Sequence, residues 1–209
     1  MKKRIPLIFT SLLLAVLLNG CALGVTHVNV AHSPLEPVAQ KRAGTILVQP
    51  FVDNRKEDHQ YIGTKRDVLG LPLGNMGVND GKRVDVMVTE FFVDALKHAG
   101  YDAVIQTSGA TQPVGVKINA VLQGEIKEFW LDMYMATWHH VNVDLRLLDK
   151  DGKLVLWQKN IQGGKSNPLW LGLNSEFEKV IQQALDEALN RAAKEFASDE
   201  FYRQVKAGN

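Results

Sequence analysis

The sequence predicts an α+β fold, a two-layer sandwich with two helices on one face of a mostly antiparallel sheet. Apolar residues occupy alternate positions over 116–126 and again over 139–147, which is typical of half-buried strands. The DKDG sequence at 149–152 predicts a hairpin turn into a third strand. Two further segments carry apolar residues at spacings of three and four, as amphipathic helices do. The predicted element order is β-α-β-β-β-β-α.

The first predicted strand is the β-rich run TILVQPFVD at 45–53. Pro50 lies inside it, and because proline donates no ladder hydrogen bond, we expect an edge or a bulge there. The following segment, 54–81, contains many glycines and has little periodicity, so we predict a loop. A loop of this length within a domain is uncommon and is usually functional or partly disordered.

Both predicted helices have recognisable ends. The first begins near Arg83 and is stopped by Gly100, and the strand YDAVIQT follows it. The last helix begins with Asn174 or Ser175 as its N-cap, and Glu178 stands at the spacing of a capping box. Its long apolar stripe indicates that it covers one face of the sheet.

The first twenty residues, MKKRIPLIFTSLLLAVLLNG, indicate an export signal. A basic start is followed by an apolar stretch that is short for a membrane-spanning helix, although an uncleaved anchor is the alternative. The next residues include prolines, small residues and polar residues, which are typical of a linker. We therefore predict a lipoprotein signal peptide over 1–20, a lipidated tether over 21–44 and a single α+β domain over 45–209.

The end of the signal, Leu18-Asn19-Gly20-Cys21, resembles the lipobox of bacterial lipoproteins, in which the cysteine is lipidated and becomes the new N-terminus. Cys21 is the only cysteine in the chain, so it cannot form an internal disulfide. Two or three acyl chains suffice to hold a protein stably on a bilayer. The residue after the cysteine is Ala22 and not aspartate, and the resemblance to enterobacterial lipoproteins therefore implies transfer to the outer membrane.

Composition and charge exclude other classes of protein. The chain has 45% hydrophobic and 22% charged residues, which is ordinary for a globular domain and excludes disorder of the whole chain. The formal net charge is +1, and removing Lys2, Lys3 and Arg4 with the signal leaves 1 − 3 = −2. A nucleic-acid-binding protein would carry a basic face, so we predict no nucleic-acid partner.

A dense group of charges follows the first strand, in PFVDNRKEDHQYIGTKRD at 50–67. Asp53, Arg55 and His59 provide side chains suited to general acid–base chemistry, so an envelope hydrolase is one alternative. Alternate residues of an extended chain share a side, which favours an ion pair between Asp53 and Arg55. We predict that this pair is structural and that the protein is not an enzyme.

The motifs for metals and cofactors are weak. His139 and His140 are adjacent, and in a strand they face opposite sides, so they cannot share one metal ion. The GKS sequence at 164–166 lacks the upstream glycine of a phosphate-binding loop, and no helix follows it directly. We predict no metal site and no cofactor.

Four aromatic residues form the candidate binding surface. Trp130, Tyr134 and Trp138 belong to the stretch EFWLDMYMATWHH, and Trp170 belongs to NPLWLGLN. Exposed aromatic clusters mark interaction surfaces. The alternative is that these side chains cap the core where a helix meets the sheet.

Several stretches together resemble the YajG family of small bacterial lipoproteins. They are the lipobox, VQPFVDNR, YIGTKRD, HAGYDAV and the closing FEKVIQQALDEALNRAAKEF, and the similarity covers about 45–205. More loosely, the chain is similar to auxiliary lipoproteins of envelope transport systems and to the N-terminal domain of TolB. The resemblance implies a non-enzymatic envelope protein and transfers no catalytic residue.

These observations predict a lipid-anchored binding or scaffolding lipoprotein on the periplasmic face of the bacterial outer membrane. We expect it to contact the membrane through its N-terminal lipid and to present its domain to a protein, a glycan or a lipid of the envelope. An accessory lipoprotein of an envelope transport complex is the alternative, and an envelope hydrolase is less favoured.

Overall fold

The computed structural model describes residues 24–67, 69–106, 117–168 and 173–208. Within these ranges the strands form one sheet, and they are β1 (Thr26–Val28), β2 (Thr45–Val48), β3 (Val52–Asp53), β4 (Gly63–Arg66), β5 (Pro72–Val78), β6 (Asp102–Ile105), β7 (Ala120–Tyr134), β8 (Ala136–Leu148) and β9 (Val155–Pro168). The helices are α1 (Val84–His98), α2 (Asn174–Phe196) and α3 (Asp199–Ala207). The predicted α+β sandwich is confirmed.

The longest strand, β7, organises the sheet. Along one edge it pairs antiparallel with β8, which pairs antiparallel with β9, and these three strands are the predicted meander. Along its other edge β7 pairs in succession with the short parallel strands β2, β3 and β4. Beyond them, β6 pairs with β2, β5 pairs with β4, and β1 pairs with β5. The chain over 45–66 therefore follows β7 in the same direction.

The predicted element order was incomplete. The segment 54–81, predicted as a loop, contains β4 and β5, because pairing with distant partners forms strands where the local sequence has no alternation. The predicted strand at 45–53 is two strands, since the chain leaves the ladder at Pro50. The helix α3 was not predicted. The short strands also add parallel pairs, although the two longest ladders are antiparallel.

The helices cover one face of the sheet and leave the central part of the other face open. Along β8 the buried residues alternate with exposed or half-buried ones from Thr137 to Leu147. The buried set faces α2, which packs on β8 and β9, while α1 packs against α2 and β6. We call the opposite side of β7, β8 and β9 the open face. Among the described residues, none of the helices combines the length and the hydrophobicity of a membrane-spanning segment.

The first turn of α2 differs from the prediction. The helix begins at Asn174, and the side chain of Glu176 accepts a hydrogen bond from the backbone N–H of Leu173 at 3.2 Å. The expected partner, Glu178, instead accepts hydrogen bonds from the backbone and side-chain amides of Asn29, at 2.8 and 2.9 Å. Glu176, and not Glu178, therefore makes the local contact with the N-cap backbone, and Glu178 makes a long-range contact.

Residues 24–44, which the sequence analysis assigned to a tether, lie against the domain. After β1 the chain runs along α2, where side-chain oxygens of the helix accept hydrogen bonds from its backbone N–H groups. The pairs are Asn29 with Glu178, Ser33 with Asp186 and Glu36 with Asn190. Val28 is fully buried in the core, and Leu35 and Val38 pack against it. The segment from Gly24 onward is thus held along its length.

His139 is a buried titratable group in the core. Its ring meets that of Phe129 edge to face, with the centroids 4.8 Å apart. Burial lowers the pKa of His139 to about 3. The folded state therefore holds a neutral imidazole at pH values where the unfolded chain, with a histidine pKa of about 6.5, already binds a proton.

We predict that acid destabilises the fold through His139. The contribution of His139 to the free energy of unfolding is complete above pH ~6.5. Below that pH it falls by up to ~1.4 kcal/mol per pH unit, until the pH nears the pKa of the folded state. In urea unfolding at pH 7 and pH 5, His139→Leu should lose less stability on acidification than the wild type. The neighbouring exposed His140 provides the control, because His140→Gln should keep the wild-type difference. Equal acid sensitivity of His139→Leu and the wild type would contradict this account.

Candidate functional site

Two of the predicted site residues, Cys21 and Trp170, lie outside the described residues. The others occupy two separate places. Asp53 and Arg55 lie beside β7 under the loop that follows β3, and Trp130, Tyr134 and Trp138 lie in the β7–β8 ladder. Trp130 and Tyr134 stand four residues apart on one side of β7, with Tyr134 at the end of the strand.

Arg55 is the centre of a buried hydrogen-bond network, and its side chain is 0% exposed. Its Nε and Nη2 atoms donate to the two carboxylate oxygens of Asp53, each at 2.8 Å. Nη1 donates to the backbone carbonyls of Tyr61 and Phe129, at 3.0 and 3.1 Å, and Nη2 also donates to that of His59 at 3.4 Å. These contacts use all five N–H donors of the guanidinium. Arg55 thus fastens the loop to β7.

The ion pair also sets the charge state of Asp53. Burial opposes ionisation of this carboxyl, but the hydrogen bonds and positive charge of Arg55 outweigh it and lower its pKa. Both groups are therefore ionised at neutral pH, with each charge compensated inside the protein. This arrangement is that of a structural clamp.

The catalytic alternative can be tested on the same residues. Asp53 and His59 line a cavity of about 510 Å³ between the loop and the start of α1. The Nδ1 atom of His59 lies 3.9 Å from Oδ2 of Asp53, so the acid and base types do converge. Arg55, however, has no N–H donor left for a substrate, and both carboxylate oxygens of Asp53 accept from it. The geometry supports a structural use of these groups.

Trp130 and Trp138 line a shallow depression of about 310 Å³ on the open face. In the β7–β8 ladder Trp130 stands opposite His140, and Trp138 stands opposite Asp132. Both tryptophans are half-buried, so each lies against its neighbours and still meets solvent. The alternative that they cap the core does not fit this position, because the helices pack on the other face.

Three carboxylates border the same depression and were not among the predicted site residues. Glu57, Glu128 and Asp132 line it together with His140. Asp132 and Glu128 lie on the same side of β7 as Trp130, so alternation along the strand was a signal that could have found them. Glu57 comes from the loop after β3, and no local pattern places it there.

The adjacent residues His139 and His140 face opposite sides of β8. His139 lies in the core and His140 is exposed on the open face, as adjacent strand residues should be. Within the described ranges, no group of three or more His, Cys, Asp or Glu side chains could hold a metal ion.

The fold and these surfaces define an α+β module with one open sheet face, and solved structures share that fold. Protein XCC0632 of Xanthomonas campestris, of family DUF330, is 14% identical over 88% of this chain and 99% of its own, with a TM-score of 0.54. A candidate neuraminyllactose-binding hemagglutinin homolog from Helicobacter pylori is 11% identical over 86% of this chain and 98% of its own, also with a TM-score of 0.54.

Lipoproteins also occur among the structural neighbours at low identity. Lipoprotein GNA1162 of Neisseria meningitidis is 15% identical over 66% of this chain and 94% of its own, with a TM-score of 0.37. The sequence matches no protein-family model and no curated protein. At these identities the likeness is one of fold alone.

Proposed function

We propose that this chain is a non-enzymatic, lipid-anchored binding protein of the bacterial outer membrane, related to the YajG-like lipoproteins. The signal and lipobox support the anchor at Cys21, and the saturated Asp53–Arg55 clamp supports a role without catalysis. The domain would then face the periplasm.

The observation that carries the binding role is the depression around Trp130 and Trp138. Half-exposed indole rings offer flat apolar faces, and the carboxylates beside them accept hydrogen bonds from hydroxyl or amino groups. A ligand with apolar faces and many donors, such as a glycan strand of the cell wall, matches both features. We propose that a cell-wall glycan is the partner, in preference to an envelope protein or a lipid.

The test combines localisation with retention on isolated cell-wall glycan. The full-length wild type is expected in the outer-membrane fraction and should co-sediment with purified glycan sacculi. Trp138→Ala should keep its membrane location and weaken sacculus binding about tenfold, as loss of a central aromatic contact does. Cys21→Ser should leave the membrane fraction.

The control is Gln158→Ala, an exposed change on the open face in β9, away from the depression. It should bind sacculi like the wild type. Retention of Trp138→Ala equal to that of Gln158→Ala would refute the glycan site, and specific capture of an envelope protein at the depression would replace the glycan by a protein partner. Cys21→Ser in the membrane fraction would refute the anchor.

A further inference from the structure

Four large apolar side chains are exposed together at one end of the sheet. Their exposed fractions are 78% for Leu69, 59% for Leu71, 37% for Tyr134 and 72% for Met135. Leu69 and Leu71 belong to the turn between β4 and β5, Tyr134 is the last residue of β7, and Met135 links β7 to β8. We call these four residues the apolar tip.

The two turns of the apolar tip lie side by side. A Cβ atom placed on Gly70 would be 3.8 Å from the Tyr134 ring. In the β4–β5 turn, Oδ1 of Asp67 accepts hydrogen bonds from the backbone N–H groups of Leu69 and Leu71, each at 2.8 Å. The four apolar side chains therefore lie on neighbouring segments of the chain, and the carboxylate of the β4–β5 turn is engaged in backbone hydrogen bonds.

Met135 combines two unfavourable properties, a left-handed backbone conformation and an exposed apolar side chain. It has a φ of 55°, the left-handed region that non-glycine residues seldom occupy, and it is the one positive-φ residue other than glycine in the described part of the chain. Tight turns that need this conformation ordinarily use glycine, asparagine or aspartate, and these residues expose no large apolar side chain to water. An exposed methionine in a strained turn indicates that the side chain has a use outside the free protein.

The apolar tip lies at the end of the domain where the chain leaves for Cys21. The backbone N–H of Gly24 donates to the carbonyl of Leu73 at 3.2 Å, two residues beyond Leu71. Cys21 precedes Gly24 by three residues, which span at most about 10 Å. The headgroup region of one leaflet is itself about 5–7 Å thick. A lipid on Cys21 therefore brings this end of the sheet to the bilayer.

We propose that the apolar tip inserts into the interfacial layer of the membrane that holds the Cys21 lipid. This inference rests on the proposed lipid anchor. The occupant is phospholipid: leucine and methionine side chains suit the boundary with the acyl chains, and tyrosine suits the headgroup level. Exposed apolar patches of this kind mark membrane or protein contacts. The short distance to the lipidated cysteine favours the membrane.

The test places an environment-sensitive fluorophore on the full-length lipidated protein. Cys21 is the only cysteine, and its thiol carries the lipid, so Met135→Cys supplies a single free thiol for a nitrobenzoxadiazole label. The matched control is Leu154→Cys, because Leu154 is 61% exposed and lies in the β8–β9 turn at the opposite end of the sheet. Each protein is reconstituted in vesicles of phosphatidylethanolamine and phosphatidylglycerol, with and without nitroxide-labelled acyl chains.

The label at position 135 is expected to shift to shorter emission wavelengths and to be quenched by the lipid nitroxides several-fold more strongly than the label at 154. Equal quenching at the two positions, in protein that floats with the vesicles, would overturn the inference and leave the anchor intact. A blue shift at 135 without nitroxide quenching would mean that a protein surface covers the tip, which also overturns it. Protein that fails to float with the vesicles would overturn the anchor itself.

Discussion

Replacing Gly163 by alanine should lower the free energy of unfolding by about 3 kcal/mol or more, as severe overpacking of a core does. Gly163 is where α2 crosses β9. A Cβ atom there would overlap the backbone oxygen of Ala184 and come within 2.7 Å of the backbone nitrogen of Ala188. These two atoms belong to residues four apart in the helix, so the added methyl presses on the helix backbone, which cannot rotate away as a side chain can.

The neighbouring glycine provides a matched control for Gly163→Ala. Gly164 faces the open side of the sheet, and a Cβ atom on it would have the Nδ1 atom of His140 at 3.4 Å as its nearest neighbour. Gly164→Ala should therefore change stability little. Urea unfolding followed by circular dichroism at neutral pH would measure both variants. If the two alanine variants prove equally stable, the close crossing of α2 over β9 is not what the structure implies.

Asp53→Ala should lower the free energy of unfolding by about 3–5 kcal/mol, because it leaves the fully buried guanidinium of Arg55 without its counter-charge. The remaining partners of Arg55 are the carbonyls of Tyr61, Phe129 and His59, which accept hydrogen bonds and do not neutralise the charge. We also expect the loop after β3 to loosen, since Arg55 fastens it to β7. Unfolding in urea gives the stability, and proteolysis of the loop reports its loosening.

The control for Asp53→Ala is an exposed ion pair. Glu90 pairs with Lys82 with 43% and 34% of the respective side chains exposed, so Glu90→Ala should cost less than about 1 kcal/mol. A double variant, Asp53→Ala with Arg55→Met, removes both buried charges and should recover part of the lost stability. A cost for Asp53→Ala no larger than that for Glu90→Ala would show that the buried charge is compensated elsewhere.

The long ladders could be predicted because their signal is local. The alternation along β7 and β8 follows from one face of each strand being buried. The turn at 149–152 consists of residue types that favour hairpin turns, so its signal is local too. The strand β4 could not be predicted in this way. Its sequence GTKR has no apolar alternation, and it becomes a strand by pairing with β5 and β7, of which β7 lies more than sixty residues away in the chain.

The role of the Gly163-Gly164 pair shows a different limit. In the sequence it was visible only as part of a failed phosphate-binding motif, because the reason for Gly163 is the backbone of α2, which arrives later in the chain. The helix α3, in contrast, had a local signal that was overlooked. The side-chain oxygen of Ser198 accepts a hydrogen bond from the backbone of Phe201, and Phe201 and Val205 are buried four residues apart.

The candidate surfaces also differ in whether a local sequence pattern or the fold brings their residues together. The pairing of Asp53 with Arg55 depends on two residues of one extended segment, so sequence spacing could suggest it. The depression on the open face depends on two strands and a loop, and Glu57 joins it only through the fold. The position of the apolar tip beside Gly24, and so near the proposed anchor, depends on the pairing of the N-terminal segment with the sheet, which no local sequence pattern predicts.

The N-terminal segment that lies along α2 also determines the reach of the protein. As a flexible chain, the 24 residues of 21–44 would let the domain move about 27 Å from the lipid proposed on Cys21. With the chain held from Gly24 onward, only about 10 Å remain. With the proposed anchor, the volume accessible to the domain would shrink about twentyfold, and its local concentration near the bilayer would rise by the same factor. We therefore expect a binding partner to meet the domain at the membrane surface.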